Sequence, residues 1–150
     1  MRSRDGFTMI EMALVVSLIG ILAMVAWPRM SSAREGAKLQ GAKRQVITQL
    51  LAARASAIQR GRQVQLRTSG NEVWATAPVG GVQTEITPRA KLYETFAVTV
   101  TASHDPITFD QRGYATSLPL TGGVFVLDLG GVVDSVCVTR LGTVARECGL

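Results

Sequence analysis

The sequence is poor in the residues on which catalytic and metal sites most often depend. It has one histidine and two cysteines among 150 residues, and only 5% of its residues are aromatic. No cluster of histidines and cysteines can therefore supply the ligands of a zinc site. The single histidine, His104, lies directly between Ser103 and Asp105, whereas a catalytic triad brings together residues from separate parts of a fold. We expect residues 103–105 to form a polar loop, and we expect no enzymatic activity.

Phosphate-binding and calcium-binding patterns are also missing. The glycines of "DLGGVVD" have neither the spacing of a phosphate-binding loop nor the Lys-Ser or Lys-Thr pair that follows one. Four aspartates could offer oxygen ligands to a metal, but their spacing differs from that of a calcium loop. These residues are Asp105, Asp110, Asp128 and Asp134. We predict that their carboxylates lie at solvated strand ends, and that the protein holds no metal and no cofactor.

Charge is absent from Met12 to Trp27, although charged residues recur every few positions afterwards. A helix over residues 7–27 would be about 30 Å long at roughly 1.5 Å per residue, which matches the apolar core of a bilayer. Arg2 and Arg4 precede this run, and such positive residues stay on the cytoplasmic side. A cleaved secretory signal would have a shorter core and a small-residue cleavage site. The pattern therefore predicts an attached membrane helix with the remaining chain outside the cytoplasm.

One acid, Glu11, interrupts the beginning of this apolar run. An ionised carboxylate inside a membrane helix costs about 2.5–3.5 kcal/mol on insertion scales, so such a residue usually has a function. Alternatively, the side chain can extend back to the cytoplasmic interface. The residue by itself is compatible with both interpretations.

The middle of the chain has helical periodicity, and the remainder has strand patterning. A stripe of apolar residues at helical spacing predicts an amphipathic helix at 29–61, with Gly61 as its C-cap. The stripe is Leu39, Val46, Leu50 and Ala53, with Ile47, Leu51 and Ile58 beside it. Pro28, Gly36 and Gly41 favour bending or local melting. From residue 62, short alternating runs such as "RQVQLRT", "EVWATAP", "FAVTVTA", "ITFD" and "GGVFVLDLGG" predict antiparallel strands, giving an α+β fold with one helix packed on sheet.

Cys137 and Cys148 lie close together near the C-terminus. An even pair in an exported chain is typical of one disulfide in an oxidising compartment, although two separate buried thiols are an alternative. If Gly142 and Thr143 are the two residues of a tight hairpin turn, the cysteines lie directly opposite each other and within reach of a disulfide. We therefore predict a bond that holds the C-terminal strand.

The N-terminal stretch "RDGFTMIEMALVVSLIGILAMVAWP" resembles the N-terminus of type IV pilins and pseudopilins. In that family a short basic leader ends in glycine before an aromatic residue, the fifth residue after the cut is an acid, and a proline follows at position twenty-two. Gly6, Phe7, Glu11 and Pro28 match these positions in register. The resemblance implies a leader at 1–6, a membrane and filament-core helix at 7–28, and a helix kink at Pro28.

The same resemblance implies a processing and assembly pathway. A prepilin peptidase would cut between Gly6 and Phe7 and methylate the new Phe7 amine, and Glu11 would set the register by facing a neighbouring subunit's amine in the filament. Such a pairing is physically reasonable, because a carboxylate in an apolar medium is tolerable only when it is paired. The implied location is the bacterial inner membrane, with residues 29–150 forming one periplasmic unit and 62–150 its β-domain, and the pseudopilus after assembly.

Later blocks are similar to the GspH/FimT group of minor pseudopilins and minor pilins. These blocks are "ARASAIQRGRQVQL", "ITFDQRGYA" and "VCVTRLGTVAREC", and they occur in the family's order. Membership implies two β-sheets wrapped against the long helix, and other major and minor pseudopilins as partners. The implied function is to help initiate or cap the pseudopilus of a type II secretion system. A minor pilin of a type IV pilus and an unprocessed, membrane-anchored periplasmic domain are the alternatives.

Nucleic-acid binding belongs to the type IV pilus alternative, since some members of the group take up DNA. Arg140 and Arg146 near the last turn could contact phosphates. The DNA-binding members have a Gly-Arg-x-Arg element there, whereas this chain has "GTVAR", with Thr143 at the position of the first arginine. The formal net charge of +5 is also modest for a nucleic-acid-binding domain.

Overall fold

The computed structural model describes residues 8–145, including all their side chains except those of residues 25–32. The helices are α1 (Met9–Arg60) and α2 (Leu92–Phe96). The strands are β1 (Val64–Ser69), β2 (Glu72–Val79), β3 (Val82–Glu85), β4 (Ala90–Lys91), β5 (Thr99–Ala102), β6 (Ile107–Phe109), β7 (Gly123–Leu129), β8 (Val132–Val138) and β9 (Val144–Ala145). The chain divides into two compact units between Gly36 and Ala37. The predicted domain limits after residues 6, 28 and 61 stay predictions, although α1 does end at Arg60.

In the first unit, every described side chain of α1 is exposed. The apolar ones include Met9, Ile10, Leu14, Leu18 and Leu22, each more than half exposed. No helix in the described part of the chain carries a stretch long and apolar enough to cross a membrane. The helix continues through Pro28, Gly36 and Gly41, so the expected local melting does not occur. The kink at Pro28 stays a prediction.

In the second unit, one face of α1 is buried in the hydrophobic core. The predicted stripe of Leu39, Val46, Leu50 and Ala53 is at most 6% exposed, which confirms the helical periodicity. Gly61 ends the helix as predicted. Its N–H donates to the Ile58 carbonyl and the N–H of Arg62 to that of Ala57, the two bonds of a Schellman motif.

The strands within residues 8–145 form two antiparallel sheets. In the first, the order is β3-β2-β1-β6, with β4 also paired to β2, and in the second it is β5-β7-β8-β9. The buried faces of both sheets share one hydrophobic core with the buried face of α1. Leu66 of β1, Phe109 of β6 and Phe125 of β7 are at most 1% exposed in that core. The predicted α+β architecture is therefore confirmed.

The region between β2 and β5 differs from the sequence prediction. Phe96 and Ala97 were expected in a strand, but Phe96 ends α2 and Ala97 adopts a left-handed conformation as its C-cap. The Phe96 ring lies where a Cβ on Gly41 of α1 would come within 2.6 Å of it, so the glycine makes room for this ring. A tertiary contact between two elements therefore overrides the local strand pattern.

The last hairpin has a different register from the predicted one. Cys137 lies opposite Ala145, and Val138 lies opposite Val144. The prediction that Gly142 begins a two-residue turn is therefore wrong. The loop has three residues between Thr139 and Thr143, and Gly142 is the last of them, with a φ of +72°. This is the common three-residue hairpin loop, which places its left-handed glycine last rather than first.

Candidate assembly and binding sites

Glu11 lies in the first turn of α1, and Thr8 caps that turn. The Glu11 backbone N–H donates to Thr8 Oγ1 at 3.3 Å, and the Met12 N–H donates to the Thr8 carbonyl at 3.2 Å. Thr8 and Glu11 have the Thr-x-x-Glu spacing of a capping box, a signal that the sequence contains and that our predictions did not use. A carboxylate at this position also interacts favourably with the positive end of the helix dipole.

The Glu11 side chain is exposed, as are its apolar neighbours along α1. Within the chain, therefore, the carboxylate and the apolar surface around it both face outward. Such a helix end provides an apolar surface that needs a membrane or another protein to cover it, because soluble monomers rarely expose so much contiguous apolar surface.

A second feature is a groove in the second unit, between the loop after β6 and the last hairpin. We call it the loop groove, and it encloses about 510 Å³. Its lining residues are Asp110, Tyr114, Thr116, Leu120, Thr139, Arg140 and Leu141. Apolar and cationic side chains therefore share one concave surface, at the place where the sequence predicted a phosphate contact through Arg140.

Hydrogen bonds donated by backbone N–H groups hold the two walls of the loop groove. Asp110 Oδ1 accepts from the backbone N–H groups of Arg112 at 2.9 Å and Tyr114 at 2.8 Å, which closes the first wall as a tight turn. The N–H of Ala115 donates to the Arg140 carbonyl at 2.9 Å and connects this wall to the hairpin.

Close packing of two glycines completes the connection between the walls. A Cβ on Gly142 would lie 2.3 Å from the Gly113 carbonyl oxygen, a distance at which real Cβ atoms are essentially never found. The left-handed φ of Gly142 and this contact both require glycine, so we expect the conformation of the hairpin loop to depend on the residue at position 142. The spacing of Gly113 and Gly142 in the sequence gives no indication that they meet.

Comparison with known families identifies the group to which the chain belongs. Residues 42–142 match the family described as Type II transport protein GspH, which is more than half of the chain. The chain belongs to the GspH family. Residues 1–27 also match the prokaryotic N-terminal methylation motif, so this GspH-family chain combines both sequence features expected from its resemblance. Among curated proteins, none matches the sequence.

Two solved structures have a fold similar to that of this GspH-family chain. Both are crystal forms of the type IV minor pilin FimU from Pseudomonas aeruginosa strain PAO1. The first has a TM-score of 0.60 and 17% identity, and the match covers 75% of this chain and 90% of FimU. The second has a TM-score of 0.58 and 18% identity, and it covers 73% and 92%. At this level of identity the likeness concerns the fold alone.

Several residues predicted for processing, for the disulfide or for phosphate contact lie outside the described residues. These are Gly6, Phe7, Arg146 and Cys148. Pro28 lies inside α1, and Cys137 is buried in β8. The cleavage site, the methylation of Phe7 and the bond between the two cysteines therefore stay predictions, although the cross-strand opposition on which we based the bond is wrong.

The four predicted aspartates close turns and tie elements together. Asp105 Oδ1 accepts from the Thr68 N–H, and Asp128 Oδ1 accepts from the Gly131 N–H, both at 2.8 Å. Asp110 closes the first wall of the loop groove, as described above. Among the described residues, no group of three or more histidines, cysteines, aspartates or glutamates could hold a metal ion.

The fourth aspartate, Asp134, lies inside β8 and is partly buried, so the predicted position at a solvated strand end is wrong for this residue. Its ion pair with Lys43 connects β8 to α1. The Lys43 ammonium donates to the two Asp134 carboxylate oxygens at 2.8 Å and 3.0 Å. Partial burial alone would raise the pKa of Asp134, but the hydrogen bond from Lys43, the Ser135 N–H and the Lys43 charge together lower it below its usual value. The sequence separation of 91 residues gave no reason to pair these two side chains.

The predicted polar loop at 103–105 contains one contact between candidate catalytic groups. Ser103 Oγ lies 3.0 Å from His104 Nδ1, and it also accepts a hydrogen bond from the Val124 N–H at 2.9 Å. Asp105 is bonded to the backbone of β1 instead. The structure therefore brings Ser103 and His104 together and directs Asp105 to a different strand.

Proposed function

We propose that this chain is a minor pseudopilin of a type II secretion system, a structural subunit that helps initiate or cap the periplasmic pseudopilus. The match of residues 42–142 to the GspH family is the observation that carries the proposal. The N-terminal methylation motif at 1–27 supports it independently, because that motif belongs to chains processed by a prepilin peptidase.

Processing and storage in the membrane come first in the proposed pathway. A prepilin peptidase cuts between Gly6 and Phe7 on the cytoplasmic side and methylates the Phe7 amine. The apolar half of α1 then anchors the chain in the inner membrane as a single pass, with the second unit in the periplasm. The exposed apolar side chains of residues 9–24 support this step, since they require an apolar environment.

Assembly transfers the same helix from lipid to protein. In the filament core, the Glu11 carboxylate pairs with the amino terminus of a neighbouring subunit. The pair stabilises one axial register, because any other register leaves a charge buried without a partner. The exposure of Glu11 within the chain supports this role, since its carboxylate is available to a neighbour. In this account the chain acts by assembly, without catalysis and without a cofactor.

A minor pilin of a type IV pilus is the second candidate, and the fold shared with FimU favours it. In this alternative the exposed Arg140 could serve DNA uptake, although Thr143 replaces an arginine of the family's DNA-binding element. A chain that is never processed and only anchors a periplasmic domain is a third candidate. This candidate gives no functional explanation for the methylation motif at residues 1–27.

Deletion of the gene in its host separates these candidates. We expect the deletion to lower the export of type II secretion substrates into the medium while leaving the number of surface pili unchanged, and the full-length chain should restore export. Loss of pili or of DNA uptake with normal secretion would support the type IV pilus alternative instead. Unchanged secretion, piliation and DNA uptake would contradict both assembly functions.

A further inference from the structure

The loop groove exposes apolar side chains that no other part of the described chain covers. Leu120 is 85% exposed, Leu141 is 59% exposed and Tyr114 is 42% exposed, although all three line one concave surface. Tyrosine and arginine, together with tryptophan, are enriched among the residues that dominate binding energy in protein interfaces, and the loop groove contains Tyr114 and Arg140. This composition is that of a docking site.

The loop groove is preformed within the chain. The hydrogen bonds of Asp110, the bond from Ala115 to the Arg140 carbonyl and the contact of Gly113 with Gly142 hold both walls in place. A partner that binds here orders few loop residues, so little of its interaction energy is lost to conformational entropy.

Charge determines which partner suits the groove. Within residues 8–145, no carboxylate forms an ion pair with the exposed Arg140 guanidinium. Asp110 has one oxygen committed to two backbone N–H groups and acts as a turn residue. The complementary ligand therefore carries an acidic side chain for Arg140 next to an apolar side chain for Leu120 and Leu141.

These features favour a protein over a nucleic acid. Interfaces with nucleic acids are more polar and much more positively charged than interfaces between proteins. The loop groove has one arginine, one aspartate and three exposed apolar or aromatic side chains. A phosphate backbone would meet the Asp110 charge and would leave the leucines without an apolar partner.

We propose that the loop groove binds a segment of a neighbouring subunit in the same filament, with an acidic side chain of that segment paired to Arg140 and an apolar side chain packed on Leu120 and Leu141. The inference rests on the proposed assembly function, which places such a subunit beside this chain. It assigns to the last hairpin a role in joining subunits, separate from the contacts made by α1.

Photo-crosslinking in the host tests the proposal with the full-length chain. A benzoylphenylalanine probe replaces Leu120, whose high exposure allows the substitution without disturbing the core. A probe at Val82, 67% exposed on β3 and outside the groove, is the matched control. A probe at Leu14, on the exposed apolar half of α1, reports assembly independently. Crosslinked species are identified by mass spectrometry.

We expect the Leu120 probe, and not the Val82 probe, to crosslink to a second chain with a prepilin-type N-terminus. Arg140→Glu should reduce that crosslink by at least about tenfold, since like charges at an interface are strongly unfavourable. Arg112→Glu makes the same charge change on a neighbouring exposed residue that does not line the groove, and it should leave the crosslink nearly unchanged.

Several results would overturn the proposal. They are equal yields at Leu120 and Val82, a Leu120 crosslink to nucleic acid, and equal effects of the two arginine substitutions. A crosslink at Leu14 without one at Leu120 rejects the groove while the assembly function stands. The absence of crosslinks at both Leu14 and Leu120 rejects the assembly function and the groove together.

Discussion

Glu11 has one electrostatic role within the chain, and we propose a second one in the filament. Within the chain it occupies the first turn of α1, where Thr8 caps the helix and the helix dipole favours an acid. In a filament it would face the amine of a neighbouring chain. The interaction with the start of the helix is present in the monomer. A substitution that preserves the helix and removes only the charge would therefore distinguish the role of Glu11 in the helix from its role in assembly.

We predict that Glu11→Gln leaves membrane insertion and cleavage intact and lowers incorporation into filaments by at least about tenfold, because removing one partner of a buried ion pair costs roughly 3–5 kcal/mol. The measurement is the fraction of the chain recovered in sheared filaments. Ser17→Ala is the control, since Ser17 is a polar residue of the same exposed segment and its hydroxyl donates to the Ala13 carbonyl. Normal incorporation of Glu11→Gln would show that the acid is dispensable.

Gly142 gives a second prediction at the residue scale. Gly142→Ala adds the cost of a left-handed conformation and a clash with the Gly113 carbonyl. Gly130→Ala has a similar φ of +60° but open space around its Cβ, so it isolates the conformational cost. We expect Gly130→Ala to destabilise the protein by about 1–2 kcal/mol and Gly142→Ala by roughly 1–3 kcal/mol more.

Thermal unfolding of the detergent-solubilised chain measures both variants. Equal losses of stability would mean that the hairpin loop moves away from Gly113 without cost, and that the loop groove is not held as the structure indicates.

At the scale of elements, the Lys43–Asp134 pair connects α1 to β8 by side chains that are 30% and 25% exposed. Partly exposed pairs contribute about 0.2–1 kcal/mol. We predict a coupling energy in that range from a double-mutant cycle of Lys43→Met and Asp134→Asn, measured by urea unfolding. Zero coupling would show that the ion pair does not contribute to the stability of the folded protein.

The same pair predicts how stability depends on pH. The pKa of Asp134 is lower in the folded protein than its usual value of 3.8, so the folded state favours the charged carboxylate. Its contribution is therefore present above pH 3.8 and is lost as the pH falls through the lowered pKa. Between about pH 5 and pH 2, the wild-type chain should lose more stability than Asp134→Asn. Parallel pH profiles of the two proteins would contradict this assignment.

Elements with a clear periodicity could be predicted from the sequence. The buried stripe of α1, the Gly61 cap and the hairpin of β1 and β2 follow from spacing and turn residues alone. The short α2 and the register of the last hairpin could not be predicted in this way. Their positions depend on contacts between distant residues, Gly41 with Phe96 and Gly142 with Gly113, and local patterns carry no information about such contacts.

On the scale of the whole molecule, the two units require different environments, because the first exposes apolar side chains and the second buries them. The core that α1 shares with both sheets begins at Leu39 and lies in the second unit, whereas the described side chains before residue 25 are exposed. We predict that a fragment of residues 37–150 folds cooperatively in water without detergent, and that the full chain requires detergent or membrane. Circular dichroism and urea unfolding of the fragment check this, and a fragment without a cooperative transition would contradict it.

The candidate sites could be predicted to different degrees. The N-terminal pattern around Phe7 and Glu11 could be recognised from the sequence, because those residues lie in one short segment at fixed spacing, and residues 1–27 match the methylation motif. In the loop groove, the sequence predicted a binding role only for Arg140, and Asp110 was considered only as a possible metal ligand. The first wall of the groove comes from residues 110–120. This wall meets the last hairpin through the backbone contacts of Ala115 with Arg140 and of Gly113 with Gly142, which the sequence pattern does not indicate.

The mass of the N-terminal peptide shows whether the chain is processed as a filament subunit. The full-length chain is extracted from membranes of its host and from cells that lack the prepilin peptidase, and both samples are digested and measured by mass spectrometry. We predict a chain that begins at a methylated Phe7 in the first sample and retains residues 1–6 in the second. An intact leader in peptidase-competent cells would contradict the claim that this GspH-family chain is a processed filament subunit.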